Sequence, residues 1–313
     1  MSDVSVIVAA RNADSYLERC LATLVGQGHE VIVVDSASTD RTAAVARESS
    51  PETHVLALQE NLGYGAALNA GLAIASRPYA LLMNADAWPR EGAVEALVDF
   101  ARSEQQIGVV GPRLLNLDGS LQRSVRGFPT PWRLATEYFF LRWLAPRTRL
   151  LNAFYGAGFD HRSQHDAEFL VGAVLLVPRA VIDEIGAFDT AFFMFNEEVD
   201  FCYRVREHGL RVVFFPGAEF VHVGGASIRL DGARMYREQL RSHLRFQAKH
   251  HGSGAAERAR HVMLWAMRLR SLVFRGERRQ LSREAASYLA AADAEALLEA
   301  PAPEQPSAII EHQ

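Results

Sequence analysis

Residues 31–40, VIVVDSASTD, decide the fold. Four apolar, largely β-branched residues in a row suit a strand covered on both faces. The change to Asp35, Ser36, Ser38 and Thr39 then ends the strand and supplies side chains that turn the chain and cap a helix. The same grammar recurs on either side in residues 4–8 (VSVIV), 55–58 (VLAL) and 79–83 (YALLM), each a short apolar run stopped by a polar residue. Between them Leu17, Cys20, Leu21, Leu24 and Val25 share one helical face, and residues 65–75 read as an Ala-rich helix opened by glycines. Strand–helix alternation predicts an α/β layer with a mostly parallel sheet and helices on both faces. Ligands of such sheets lie at the carboxyl ends of the strands, which directs attention to Asn12, Asp35 and residues 84–86.

Past Glu104 the pattern changes. Residues 108–115 and 120–124 flank Asp118-Gly119 and predict a hairpin. An aromatic stretch over 132–159 reads as a helix plus a loop over a cleft, 169–177 (FLVGAVLLV) as one strand, 197–208 as a helix and 211–215 as a strand. The chain has 313 residues, 49% hydrophobic, with a formal charge of −4, which speaks against a general nucleic-acid binder. Cys20 and Cys202 are the only cysteines, in no metal-type spacing, so a reducing compartment is expected and a disulfide framework is not. No leader pattern opens the sequence and no apolar run approaches the ~18 residues that span a bilayer; a cytoplasmic protein is expected.

Four constellations carry chemistry. Asp35 can accept the imide N–H of uracil or thymine, or merely cap a helix. Asn84-Ala85-Asp86 places a carboxylate at a strand end, suited to a divalent ion that offsets charge on a diphosphate leaving group, though a turn would look the same. Asn61, Gly63, Asn69 and Gly71 lie one unit before it, with glycines that allow backbone to approach a ligand. Glu197, Glu198 and Asp200 stand at a helix start, where they would favour the dipole, and one of them facing the cleft could be a general base. His222, beside Gly224 and Gly225, could supply a metal ligand.

Taken in order, VSVIVAARN, VVDSASTD, ENLGYGAALNAG, LLMNADAWP, GPRLLNLDGSLQRS, FLVGAVLLVPR, FFMFNEEVDFCYR and FPGAEFVHVGGAS resemble the family 2 glycosyltransferases of the GT-A fold, the nucleotide-diphospho-sugar transferase fold. Within that family the likeness is nearest to bacterial rhamnosyltransferases. It implies a catalytic domain over 1–227 and an inverting transfer from a dTDP- or UDP-sugar donor, dTDP-rhamnose first, to a glycan or lipid-linked acceptor. It implies that Asp35 contacts the nucleobase, that Ala9, Asn12, Asn61, Gly63, Asn69, Asn84 and Ala85 line the donor site, and that Asp86 and His222 hold Mn or Mg. Glu198 matches the family's catalytic Asp, with Glu197 and Asp200 as neighbours able to take the role; Gly172, Ala173 and Arg204 fall in the acceptor or phosphate region. Two departures stand out: the first acid of D-x-D is Asn84, and E-D-x-D is E-E-V-D. A non-catalytic nucleotide-sugar-binding subunit would tolerate both. A sugar-phosphate nucleotidyltransferase would need a glycine-rich loop that residues 9–12 lack.

Residues 228–279 carry 13 Lys or Arg against 4 Asp or Glu. The sequence predicts a basic helical appendage over 228–299 and a disordered tail over 300–313. Within 255–279 an apolar stripe bordered by arginines suits peripheral contact with the inner face of an anionic membrane. The same stripe would also serve for packing on the catalytic domain or for a homodimer.

Overall fold

The computed structural model describes residues 2–156, 158–224, 232–291 and 293–298. The expected strand–helix units are present: β1 (Val4–Ala10), α1 (Asp14–Ala22), β2 (Glu30–Ser36), α2 (Thr42–Ser49), β3 (His54–Leu58), α3 (Tyr64–Ile74) and β4 (Tyr79–Asn84). After β5 (Ala87–Pro89) and α4 (Ala93–Ser103) come β6 (Ile107–Leu115), β7 (Leu121–Gln122) and β8 (Val125–Arg126), then α5 (Pro131–Tyr138) and α6 (Arg149–Asn152). The remaining strands are β9 (His165–Asp166), β10 (Phe169–Leu170), β11 (Val174–Pro178) and β12 (Arg211–His222), with α7 (Arg179–Ile185) and α8 (Glu197–Glu207) between the last two. The main sheet runs β3-β2-β1-β4-β11-β6-β12-β5. The first four strands pair in parallel, and β11 is antiparallel to both its neighbours.

Alternation along each strand divides the core. Val6, Val8, Val31, Val33, Leu81 and Met83 pack on one side of the sheet, whereas Ile7, Ile32, Val34 and Leu82 pack on the other. Both faces of the central strands are thus buried, which explains runs with no polar alternation.

Two expected strands differ in ways that shape the site. The single strand over 169–177 is broken into β10, paired with β8, and β11, in the main sheet, leaving Val171, Gly172 and Ala173 outside both. The strand expected over 211–215 continues to His222. Its pairing with β6 slips between Phe215 and Glu219, around Pro216 and Gly217, and then resumes. Such an irregularity lets one long strand carry His222 to the end of the sheet.

Three further helices, α9 (Gly232–His251), α10 (Ser253–Val273) and α11 (Gly276–Ala290), follow. Helix α9 is fastened to the sheet layer: Phe246 joins the core beside Phe201 and Phe214, Ser242 donates to the Met194 carbonyl at 2.9 Å, and Gln247 donates to the Pro129 carbonyl. Helices α10 and α11 form a second core with Leu134 and Tyr138 of α5 and with Leu240 and Leu244 of α9. Helix α9 thus links the core under the main sheet to the helical core. The expected boundary at 227/228 and the tail from 300 lie outside the described residues.

Candidate active site

Strands β1, β2 and β4 end together, and their ends open on a cavity of about 490 Å³. Its lining includes Ala9, Asn12, Asn61, Gly63, Asn84, Ala85 and Asp86. Gly172, Ala173, Glu197, Glu198 and His222 line it as well. Residues spread over more than 200 positions thus converge on the sheet edge where the alternation placed a ligand.

Asp86 and His222 form one corner. Asp86 Oδ2 accepts from the Gly224 N–H at 3.1 Å, while Oδ1 lies 3.4 Å from His222 Nε2. Burial alone would raise the Asp86 carboxyl, but the interaction with His222 and the Gly224 N–H outweigh it and hold the carboxyl below its ordinary value. Asn84 Nδ2 approaches the same His222 Nε2 at 3.3 Å. On the far side of the ring, His222 Nδ1 meets Gln122 Oε1 at 2.6 Å.

The orientation of Gln122 follows from its other partners. Its Nε2 donates to the His222 carbonyl at 3.1 Å, an obligate acceptor, and to Asn116 Oδ1 at 3.0 Å, so its oxygen must face the ring. Nδ1 then carries a proton, which leaves Nε2, beside Asp86 and Asn84, as the ring nitrogen that a cation could take in place of a proton. A neutral imidazole nitrogen beside a carboxylate is a fitting pair of donors for a divalent cation. Among the described residues no three His, Cys, Asp or Glu side chains gather into a cation site. Two protein donors fit a cation that takes its other ligands from diphosphate oxygens and water.

Glu197 and Glu198 open α8 after Asn196, which holds a left-handed conformation at φ 65°. Burial pushes the Glu198 carboxyl up, and backbone amides of the first helical turn and of Gly172 partly offset this. Glu197 is pushed further, by burial and then by the charge of Glu198. One oxygen of each has no hydrogen-bond partner. A Cβ on Gly172 would lie 3.2 Å from Glu198 Cβ, so a side chain there would press on this acid.

Other expected residues have different surroundings. Asp35 is 4% exposed at the end of β2 and accepts from Ser38 N at 3.3 Å; its neighbour Ser36 lines the cavity. Asn12 holds the following loop, accepting from Thr39 N at 2.8 Å. Asn69 lies outside the cavity lining and brackets the backbone of Phe188, donating to its carbonyl at 2.8 Å and accepting from its N–H at 3.0 Å. Gly63, with φ 97°, lets protein backbone approach closely: Tyr64 N donates to the Phe193 carbonyl at 3.0 Å, and a Cβ on Gly63 would collide with that carbonyl.

Asp200 also lies outside the cavity lining, with no exposed surface, bound by Arg204 Nε at 2.9 Å, Lys249 Nζ at 2.7 Å and His250 Nε2 at 2.8 Å. Burial would raise it, yet these partners bring it down to about 2. Arg204 is spent on Asp200 and on the carbonyls of Ile185, Gly186 and Ala187. Sequence reasoning missed Gln122, as well as Arg234 and Met235 of α9, which also line the cavity. The Asn-x-Asp-Gly-Ser turn that precedes Gln122 is the sequence signal nearest to it.

The glycosyl transferase family 2 model matches residues 5–173. An N-acetylglucosaminyl-diphospho-decaprenol L-rhamnosyltransferase of Mycobacterium tuberculosis is 29% identical over 286 residues, covering 87% of this chain and 92% of the relative. Among solved structures, S. aureus TarS 1-349 matches with a TM-score of 0.51 at 15% identity over 91% of this chain and 89% of that one. GalNAc-T7 with UDP, GalNAc and Mn2+ matches with a TM-score of 0.54 at 15% identity over 70% of this chain and 43% of that one. These two matches agree with a GT-A-type sheet. With more than half the chain matched by the family model and the strand-end cavity in place, the chain belongs to glycosyl transferase family 2 and is a glycosyltransferase.

Proposed function

We propose that the enzyme transfers rhamnose from dTDP-rhamnose, with a UDP-sugar as the second choice of donor, to a hydroxyl of a lipid-linked glycan intermediate at the inner face of the cell membrane. The observation that carries this reading is one cavity holding both a buried acid with an unpartnered oxygen, Glu198, and the Asp86–His222 corner. The name of the mycobacterial relative supports the sugar and the class of acceptor.

In this reading Asp35, behind Ser36 and the Asn12-braced loop, receives the nucleobase, and Ala9, Asn61, Gly63 and Ala85 shape the donor pocket. Asp86 and His222 hold a divalent cation, Mn or Mg, which when bound would neutralise charge on the diphosphate. Glu198 accepts the proton of the acceptor hydroxyl as that oxygen bonds to the anomeric carbon. The bond from that carbon to the diphosphate oxygen breaks on the opposite face, and its electron pair leaves with the nucleoside diphosphate. Backside attack inverts the anomeric centre. The elevated carboxyl of Glu198 suits a base working near neutral pH.

The test incubates the purified chain with dTDP-rhamnose or UDP-sugars and a short-chain N-acetylglucosaminyl-diphospho-lipid, with and without Mn2+. Nucleoside diphosphate is expected only when acceptor and cation are both present, with an inverted linkage by NMR. Release that ignores the acceptor, or a retained linkage, would sink the reading.

A further inference from the structure

Eight of the nine large apolar side chains that stand exposed among the described residues fall in two stretches, 132–150 and 265–273. Trp143 and Leu144 are 68% and 78% exposed, and Leu272 and Val273 are 76% and 67% exposed. Nearly 130 residues apart in sequence, the stretches meet in space. Phe140 and Phe274 rings lie 5.7 Å apart, Arg270 Nε donates to the Tyr138 carbonyl at 2.8 Å, and the Arg270 guanidinium sits 4.1 Å from the Phe140 ring centroid.

The inner face of α10 is already used. Met263, Leu264, Ala266 and Met267 are buried against α5 and α11. Trp265, Leu269 and Leu272, spaced i, i+4, i+7, form a second stripe left in solvent. Packing on the body of the protein therefore accounts for only one side of this helix.

Charge says what the other side fits. Residues 138–159 contain three arginines and residues 258–276 five; Arg142 and Arg260 are paired with Glu137 and Glu257 and Arg270 holds carbonyls, while Arg147, Arg258, Arg268 and Arg275 stand exposed, in a chain whose formal charge is −4. An apolar ridge that includes Trp143 and Trp265, with exposed Arg147, Arg268, Arg275, Arg278 and Arg279 around it in sequence against the exposed Glu277, has the chemistry of a bilayer interface carrying anionic headgroups. A twofold contact between copies would instead set these arginines against their own counterparts.

We propose that this composite ridge seats the enzyme on an anionic lipid bilayer, with Trp143, Leu144, Leu272 and Val273 at the headgroup–acyl boundary and the exposed arginines, Arg147, Arg268 and Arg275 among them, on the headgroups. The proposal deepens the reading of a lipid-linked acceptor and rests on it for its purpose. Its test uses no acceptor, so the two can fail separately.

Sucrose-loaded vesicles of phosphatidylcholine alone, or with about one-third phosphatidylglycerol, are sedimented with the full chain. The chain pellets with the anionic vesicles and not the neutral ones, and ~0.5 M NaCl weakens the binding. Leu272→Ser with Val273→Ser, and separately Trp143→Ser with Leu144→Ser, each reduce partitioning by about 10-fold or more. Both pairs keep the wild-type melting temperature. Wild-type protein that stays in the supernatant, partitioning unchanged in both pairs, or a solution dimer dissociated by the same substitutions would overturn the proposal.

Discussion

Glu198 and Asp200 stand two residues apart on one helix and have opposite surroundings. A helix turns about 100° per residue, so the two acids point in directions some 200° apart. Glu198 faces a cavity with one oxygen unpartnered and a carboxyl raised by burial. Asp200 faces α9 with no exposed surface, three cationic or ring partners and a carboxyl at about 2. An acid with an open valence at a cavity is placed to take a proton; one saturated by fixed partners is placed to hold two parts of the fold together. The Lys249 and His250 that bind Asp200 belong to α9, the helix that also sends Arg234 and Met235 to the cavity.

The same distinction sorts the acids elsewhere, and Asp86 gives its largest expected effect. Asp86→Ala should remove the cation-dependent gain in donor binding, by more than the ~10–100-fold typical of a lost outer partner. Calorimetric titration of Mn2+ into enzyme with nucleoside diphosphate measures it; unchanged affinity would move the cation elsewhere. Gln122→Leu should fall within that ~10–100-fold range without touching a ligand. In metal-free protein at neutral pH, 15N NMR should find His222 protonated on Nδ1 in the wild type and lose that preference in the variant.

The anchoring side should announce itself in acid. The folded Asp200 carboxyl, at about 2, lies below its ordinary value of 3.8. A depressed carboxyl contributes stability that is present above the higher value and is lost as pH falls through the lower one. The shift corresponds to about 2 kcal/mol. Wild-type unfolding free energy should decline by about that much more than that of Asp200→Asn between about pH 4 and pH 2; parallel curves would remove the anchor. Asn84→Ala should have the smallest effect, a few-fold at most in cation affinity, because an amide oxygen is a weaker donor than a carboxylate.

How much of this was legible in the sequence follows from how each contact is made. The parallel half of the sheet could be read because both faces of β1, β2 and β4 are buried and polar residues mark the strand ends. The cavity could be read because such ends meet at one edge. Gln122 could not: its partner His222 is 100 positions away and arrives only through the long, irregular β12. The break at Val171–Ala173 was hidden in a continuous apolar run, since a buried strand and a buried cavity wall use the same residues. Gly63 lines the cavity and also admits the loop at Phe193, whereas Asn69 brackets Phe188 outside the lining, because a tight approach of backbone has the same sequence signature whether the neighbour is a ligand or a loop. The three acids in Glu-Glu-Val-Asp could be located but not divided by role, since roles depend on what each helix face meets.

The most direct test of the account measures turnover per folded molecule and thermal stability side by side in Glu198→Gln and Asp200→Asn. Glu198→Gln should keep the wild-type melting temperature and donor affinity while turnover falls on the order of 10²-fold or more. Asp200→Asn should keep most of its turnover per folded molecule while losing about 3 kcal/mol of stability, since Lys249, His250 and Arg204 lose a buried counter-charge. Normal turnover in Glu198→Gln, with turnover lost and stability unchanged in Asp200→Asn, would contradict the division of roles and move the base to Asp200.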